Sequence, residues 1–312
     1  MRVIFMGTPD FAVPTLQSLI NSDHEIISVY TQPDKPNSRG NKIVFSPIKT
    51  LSLEHSIKVM QPNSIKDKKI IEEIRDINPD IIVVVAYGQL LPLEILQIPK
   101  FGCINIHASL LPKYRGSAPI HWSIINGENE TGVTTMYMDV GMDTGDIINK
   151  EKINITENMN VEVLHDKLSF IGAQLLIKTF EDIEKGIAPR IKQNNDLSTY
   201  APLLTKDVGK INWKNNSDQI YNLVRGTNPW PGAFTFFGNK RVKIFTTIKY
   251  SGKSYLDIEP GTIIDYHKNK GLLVKTGDDC IYIETLQFPN KKRLHVDDFI
   301  LGNEIENGTV LK

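Results

Sequence analysis

The sequence is poor in the features that mark secreted and membrane-bound proteins. It holds two cysteines in 312 residues, Cys103 and Cys280, which lie far apart and outside any CxxC motif. This excludes a disulfide framework and a cysteine zinc site, and it indicates a reducing compartment. The longest apolar run, residues 81–87, is too short to span a bilayer, and the amino terminus carries no signal-peptide pattern. We therefore expect a cytoplasmic protein with no membrane partner.

Several nucleotide, metal and hydrolase motifs are also missing. No GxGxxG follows the first predicted strand, and no GxxxxGK[ST], HExxH or GxSxG occurs in the sequence. Asp139, Asp143 and Asp146 lie close together, but their spacing does not match a calcium loop. Carboxylates between glycines are usually turn residues, so we expect no metal requirement.

Charge is balanced, with 36 Lys and Arg against 36 Asp and Glu. A zero net charge argues against binding nucleic acid through bulk charge alone. From Lys206 onward, however, 16 basic residues face 12 acidic ones. This small surplus is only a weak indication of a polyanionic partner, because such surpluses are common on solvated surfaces.

Short apolar strands alternate with helical segments over the first 180 residues. The pattern predicts strands at residues 2–7, 25–32, 58–61, 81–87 and 103–109, separated by helices, which is typical of an α/β fold with an open, mostly parallel, Rossmann-like sheet. After a polar stretch, closely spaced strand segments between 233 and 288 predict a smaller C-terminal β-barrel of the OB type. The predicted domains are residues 1–188 and 207–312, joined by a linker at 189–206.

Residues 103–116, CINIHASLLPKYRG, carry the most suggestive pattern. With a period of two, Asn105 and His107 fall on one face of a strand that should be apolar on both faces if it were only structural. They lie near the carboxyl end of the strand, where open α/β sheets bind ligands. An amide donor beside an imidazole can stabilise an oxyanion and move a proton. A lone histidine in a strand is more often a core residue than a catalytic one, so the pattern alone leaves both interpretations open.

A family resemblance decides between them. The motifs that carry it are GTPDFAVP (7–14), VVVAYGQLLP (83–92), CINIHASLLPKYRGSAPI (103–120), TGVTTMYMDVGMDTGD (131–146) and NPWPGAF (228–234). In this order the motifs closely resemble the methionyl-tRNA formyltransferase family of folate-dependent formyltransferases. The resemblance implies transfer of a formyl group from 10-formyltetrahydrofolate to the α-amino group of methionyl initiator tRNA, in support of translation initiation.

The resemblance also implies roles for particular residues. The catalytic residues would be Asn105, His107 and Asp143. The folate co-substrate would lie against Tyr87, Gly88, Leu90, Ser109, Leu110, Leu111, Pro112, Asp139 and Val140. Arg39 and Lys42, in the loop at 33–42, and the C-terminal domain would contact the tRNA. We expect a monomer.

Two alternatives remain open at this stage. The same catalytic domain could formylate an amino sugar nucleotide or glycinamide ribonucleotide instead of tRNA. The C-terminal domain could also be an RNA-binding module attached to an inactive formyltransferase domain. The complete set of Asn105, His107 and Asp143 argues against the second alternative.

Overall fold

The computed structural model describes residues 1–36, 43–253 and 255–312. Arg39 and Lys42, the predicted tRNA contacts of the long loop, lie outside the described residues. The described chain forms two compact units. The first comprises Met1–Pro119, Glu130–Ile153 and His165–Ala201, and the second comprises Ile120–Asn129, Asn154–Leu164 and Pro202–Lys312. The domain boundaries drawn from the sequence stay a prediction.

Up to Ala201 the chain alternates strands and helices. The strands are β1 (Arg2–Gly7), β2 (Glu25–Tyr30), β3 (Lys35–Pro36), β4 (Ile43–Val44), β5 (Val59–Met60), β6 (Ile81–Val85), β7 (Cys103–His107), β8 (Arg115–Gly116), β9 (Glu130–Tyr137), β10 (Ile147–Asn154) and β11 (Tyr200–Ala201). The helices are α1 (Val13–Ile20), α2 (Pro47–Glu54), α3 (Lys68–Ile77), α4 (Leu93–Leu96), α5 (Pro119–Ile125) and α6 (Val161–Glu184).

The main sheet of the first unit is mostly parallel, as predicted. In the described part of the chain its strand order is β10-β9-β7-β6-β1-β2-β5. The strands from β7 to β5 are parallel, and β9 joins β7 antiparallel. All five residues of β6 are buried, which explains its continuous Ile and Val run. The chain passes from β5 back to β6 on the other side of β1, so the carboxyl ends of β1 and β6 form a topological switch point.

Four strands, β2, β5, β6 and β7, are shorter in the structure than the sequence predicts. β2 stops at Tyr30, and β6 stops at Val85 although the apolar run continues to Tyr87. Ala86 adopts φ +48°, a left-handed conformation that cannot continue a strand. The turn brings the Tyr87 carbonyl within 3.1 Å of Thr8 Oγ1, which donates to it from the loop after β1.

The second unit contains an antiparallel sheet, as the sequence predicts for the C-terminal part. Its elements are α7 (Ser217–Thr227), β12 (Ala233–Phe237), β13 (Lys240–Lys249), β14 (Ile263–His267), β15 (Gly271–Lys275), β16 (Cys280–Gln287), β17 (Leu294–His295) and α8 (Val296–Ile300). The order is β12-β13-β16-β15-β14, with β17 beside β16. Leu311 bridges to Phe237 and Val310 to Thr262, so the last residues connect the two edges of the sheet. The predicted strands did not include this closing segment.

Replacing Leu311 with alanine is expected to destabilise the second unit by about 2–5 kcal/mol, because a buried leucine is removed from a packed core. Leu311 is 5% exposed and belongs to the core that contains Trp213, Val274 and Ile283. Denaturant unfolding of the whole chain, followed by tryptophan fluorescence, measures the change. Leu301→Ala is the control, since Leu301 is 86% exposed. Equal stability of the two variants would contradict the prediction.

Candidate active site

Asn105, His107 and Asp143 lie together in the first unit. Asn105 and His107 belong to β7, and Asp143 belongs to the loop between β9 and β10. Asn105 Nδ2 is 3.5 Å from Asp143 Oδ1, and His107 Nδ1 is 3.7 Å from Asp143 Oδ2. The Gly116 backbone N–H donates to Asp143 Oδ2 at 2.8 Å, which orients the carboxylate between the two side chains. The resemblance predicted this grouping, and the geometry brings the three residues together.

The hydrogen bonds of His107 assign different tasks to its two nitrogens. Nε2 lies 2.9 Å from the Tyr114 carbonyl oxygen. A carbonyl oxygen only accepts, so Nε2 carries the hydrogen in the neutral ring, and Nδ1 is the nitrogen that gains or loses a proton. Nδ1 faces the Asp143 carboxylate. The His107 side chain is 7% exposed, so the ring is held in place and its Nδ1 edge points to the carboxylate.

Hydrogen bonds within residues 109–116 and to Thr134 of β9 hold the turn that carries Tyr114 and Gly116. Ser109 Oγ donates to the Lys113 carbonyl at 2.6 Å, and Thr134 Oγ1 donates to the Ser109 carbonyl at 2.7 Å. The Leu111 N–H donates to Thr134 Oγ1 at 3.2 Å. The turn that supplies the partners of His107 and Asp143 is therefore held by its own hydrogen bond and by two bonds to β9.

The predicted folate residues fall into two groups. Several are packed inside the unit: the Tyr87, Ser109 and Leu111 side chains are buried, whereas Leu110 and Pro112 are half-buried. Burial raises the pKa of Tyr87 to about 12, so its hydroxyl stays neutral. The others, Gly88, Leu90, Asp139 and Val140, are exposed, with Leu90 at 61% and Val140 at 75%. The second group presents side chains or backbone to solvent, and Leu110 and Pro112 of the first group do so in part.

Asp139 has a local structural task. Its Oδ1 accepts hydrogen bonds from the Gly141 N–H at 3.0 Å and from Thr144 Oγ1 at 2.6 Å. These bonds close a turn over residues 139–144, which contains Asp143. This agrees with the interpretation of the glycine-flanked carboxylates as turn residues.

Sequence reasoning missed two side chains beside the site, Arg115 and Gln193. Gln193 Nε2 donates to the carbonyl oxygens of Asp143 and Gly145, each at 2.8 Å. Arg115, which is 3% exposed, donates to Gln193 Oε1 from Nε at 3.1 Å and from Nη2 at 2.8 Å. Gln193 lies in a polar stretch whose composition is typical of a linker. No spacing rule connects it to Arg115, 78 positions away.

Two observations concern thiol and metal chemistry in the described part of the chain. Burial raises the pKa of the Cys103 thiol to about 12, so it is not a nucleophile at neutral pH. Within residues 1–36, 43–253 and 255–312, no three His, Cys, Asp or Glu side chains are grouped to hold a metal ion. In the same residues, no helix combines the length and apolarity that crossing a membrane requires.

Comparison with known proteins places the chain in a family. Residues 1–180 match the formyl transferase family, and residues 203–304 match the formyl transferase C-terminal domain. Methionyl-tRNA formyltransferase of Clostridioides difficile (strain 630) is 53% identical over 311 residues, which covers 100% of both chains. The chain belongs to the methionyl-tRNA formyltransferase family. The enzyme of this name from Alkaliphilus oremlandii (strain OhILAs) is 52% identical, over 100% of this chain and 99% of its own.

Solved structures share the fold of the family at lower identity. WlaRD, described as a sugar 3N-formyl transferase, is 24% identical with a TM-score of 0.67, over 94% of this chain and 99% of its own. HypX from Aquifex aeolicus, solved in complex with tetrahydrofolic acid, is 17% identical with a TM-score of 0.63, over 97% of this chain and 47% of its own. These likenesses support the α/β fold class predicted from the sequence.

Proposed function

We propose that the chain transfers the formyl group of 10-formyltetrahydrofolate to the α-amino group of methionyl initiator tRNA through Asn105, His107 and Asp143. The full-length match at 53% identity supports the assignment of this reaction, because it covers both parts of the chain. The meeting of an amide, an imidazole and a carboxylate in the first unit supports the assignment of the residues. Such a set suits acyl transfer without a covalent enzyme intermediate.

The exposed residues near the site fit a folate co-substrate. Leu90 and Val140 present large apolar side chains to solvent, and an apolar ring system can cover them. Gly88 and Asp139 are exposed beside them in sequence and offer backbone donors and acceptors. When bound, the co-substrate supplies the formyl group. The chain's own residues position that group and stabilise the negative charge that develops on its oxygen.

The acceptor amine needs little help to become a nucleophile. An α-amino group has a pKa of about 7.7–8.0, and an ester bond at the adjacent carboxyl lowers it, so much of the amine is neutral at physiological pH. The demanding step is the negative charge that develops on the formyl oxygen. Asn105 Nδ2 has two hydrogens, and Asp143 Oδ1 takes at most one of them. The second can stabilise the developing oxyanion together with His107.

His107 and Asp143 move the proton. Nδ1, which carries a hydrogen when the imidazole is charged, lies 3.7 Å from Asp143 Oδ2. The gap is longer than a direct hydrogen bond and allows a water molecule to take part. The amine loses one proton when it attacks the formyl carbon, and Nδ1 of the neutral ring can accept it. When the bond between the formyl carbon and the folate nitrogen breaks, this proton passes to the leaving nitrogen, and the Asp143 carboxylate stabilises the charged ring between the two transfers.

Formyl transfer from 10-formyltetrahydrofolate to three acceptors tests the proposed function. We expect turnover with methionyl initiator tRNA and none above background with a nucleotide-linked amino sugar or with glycinamide ribonucleotide. A labelled formyl group in the donor gives the readout. Preference for the sugar or the ribonucleotide would replace the tRNA assignment. Tight tRNA binding without transfer would instead support the RNA-binding alternative.

One face of the second unit fits a polyanionic strand. We call it the β12–β13 face, and it comprises Lys210, Phe234, Phe236, Arg241, Lys243, Phe245 and Arg293. The guanidinium of Arg241 lies 3.6 Å from the Phe234 ring centre, that of Arg293 lies 4.3 Å from Phe245, and Lys210 Nζ lies 5.7 Å from Phe236. Alternate residues of the same strands, such as Ala233 and Val242, point into the core.

Three of the four cations of the β12–β13 face, Lys210, Lys243 and Arg293, are exposed. Among the described residues, no carboxylate forms a salt bridge with Lys210, Arg241, Lys243 or Arg293. Arg241 Nε is buried and has no hydrogen-bond partner among those residues. Phe236 and Phe245 are half-buried, whereas Phe234 is 4% exposed and covered by Arg241. Aromatic rings that are partly exposed between unneutralised cations are typical of surfaces that bind nucleic acid. We therefore place tRNA contacts of the C-terminal domain on this face.

The double variant Arg241→Gln with Lys243→Gln is expected to raise the KM for methionyl-tRNA about tenfold, because each lost phosphate contact costs binding energy. The values of kcat and of the KM for the folate co-substrate should stay unchanged. Steady-state kinetics at several salt concentrations measure this, with a shallower salt dependence in the variant. The matched control is Lys268→Gln with Lys270→Gln, which removes two lysines from the turn after β14. Equal KM values for the two double variants would remove this face from the tRNA site.

Two further properties belong to the proposal. The reducing compartment indicated by two unpaired, buried cysteines supports a cytoplasmic location. A monomer is expected, and light scattering of the purified protein measures it.

A further inference from the structure

Arg115 is a buried cation with neutral partners. Its side chain donates to Gln193 Oε1 and, from Nη2 at 2.9 Å, to Asn195 Oδ1. Among the described residues, no carboxylate lies in salt-bridge distance of its guanidinium. Burying a charge without a counter-charge is costly. A hydrophobic residue would serve packing better, so the guanidinium points to a task beyond packing.

The guanidinium fixes the direction of the Gln193 amide. A guanidinium only donates, so the amide must present its oxygen to Arg115 and its NH₂ group to the other side. On that side lie the carbonyl oxygens of Asp143 and Gly145, each 2.8 Å from Nε2. Both hydrogens of the NH₂ group are therefore used on the main chain of the loop that carries Asp143.

The main chain at Asp143 needs such support. Asp143 adopts φ +54°, a left-handed conformation that non-glycine residues adopt at a cost. The two hydrogen bonds from Gln193 offset part of this cost at the residue whose carboxylate faces His107. The neighbours of Arg115 act on the same two residues, since the Gly116 N–H binds the Asp143 carboxylate and the Tyr114 carbonyl binds His107.

We propose that Arg115 and Gln193 are positioning residues, which keep the Asp143 carboxylate between Asn105 and His107 by clamping the main chain at Asp143 and Gly145. This inference rests on the proposed role of Asp143 in formyl transfer. The polar segment around Gln193 thereby becomes a part of the catalytic unit instead of a plain connection.

Gln193→Glu is the decisive variant. The new carboxylate can form an ion pair with Arg115, which offsets part of the stability lost with the two hydrogen bonds, but it has no hydrogen to donate to the two carbonyl oxygens. We expect kcat to fall about 100-fold, the loss typical of a displacement of about 1 Å at a catalytic group. The KM values for both substrates and the Tm should remain close to those of the wild type. A wild-type kcat would overturn the proposal, and so would a loss expressed only in KM.

A second variant keeps the test independent of position 193. Arg115→Met retains the length of the side chain but removes the donors that fix the Gln193 amide. The amide can then turn, and in one of its two orientations the NH₂ group still donates to the carbonyl oxygens of Asp143 and Gly145. Its loss in kcat should be smaller than that of Gln193→Glu. A larger loss of kcat in Arg115→Met than in Gln193→Glu would contradict the positioning role proposed for Gln193. Asn194→Asp is the control, because it adds the same charge at the neighbouring exposed position and keeps the oxygen that caps the Asp196 N–H.

These outcomes are separable from a failure of the proposed function. If Asp143 and His107 take no part in formyl transfer, His107→Ala retains activity. If His107→Ala is inactive and Gln193→Glu is fully active, the catalytic assignment stands and the positioning proposal fails.

Discussion

Replacement of Asn105 or His107 by alanine is expected to lower kcat for formyl transfer by about 10²–10³, the usual cost of removing one donor from an oxyanion site. Both side chains are held by contacts within the first unit. The Asn105 amide faces Asp143, and the His107 ring is held by the Tyr114 carbonyl at 2.9 Å. Single-turnover formylation of charged initiator tRNA measures the chemical step without product release.

The two substitutions should leave the binding of the folate co-substrate within about threefold of wild type, because they remove transition-state contacts more than ground-state contacts. Fluorescence titration with a non-transferable folate gives this value. His55→Ala is a matched control, since His55 is an exposed histidine that follows α2. Full activity of either Asn105→Ala or His107→Ala would contradict the assignment of the catalytic residues.

Much of the site's position could be predicted because it rests on a strand. The period of two along β7 places Asn105 and His107 on one face irrespective of the rest of the fold. His107 is the last residue of β7, in agreement with a site near the carboxyl end of the strand. The parallel sheet also followed from a local pattern, the alternation of apolar strands with helices.

The parts that could not be predicted depend on contacts between distant segments. Gln193 meets Asp143 across 50 positions of the chain, and its neighbours in sequence have the composition of a linker. Tyr87 shows the opposite case, because the left-handed turn at Ala86 directs a residue of a predicted ligand loop into the core. Pattern reasoning gives the period of a segment, but the direction of an irregular turn depends on what packs against it.

Gly145→Ala is expected to lower kcat about 100-fold, because it displaces the loop that carries Asp143. A Cβ atom at position 145 would lie 1.7 Å from the Tyr137 carbonyl oxygen and 2.9 Å from the Tyr137 carbonyl carbon. Both obstacles are backbone of β9, which is held in the main sheet and cannot yield as a side chain does. The loop has to move instead, and the 2.8 Å bond from Gln193 to the Gly145 carbonyl is strained or lost. Single-turnover kinetics and the Tm measure the two effects.

Two control glycines separate this local displacement from a general loss of stability. Gly186 adopts φ +69°, and a Cβ atom there would meet nothing within 4 Å, so Gly186→Ala introduces the cost of a left-handed alanine, about 1–2 kcal/mol, without a collision. Gly302 has open space and ordinary backbone, and Gly302→Ala should be neutral in both measurements. If the loss at Gly145 came only from reduced stability, Gly186→Ala would lower kcat in proportion to its Tm. We expect Gly186→Ala to lower the Tm with an unchanged kcat, because the geometry between Asp143 and His107 depends on where the loop lies and not on the total stability of the unit.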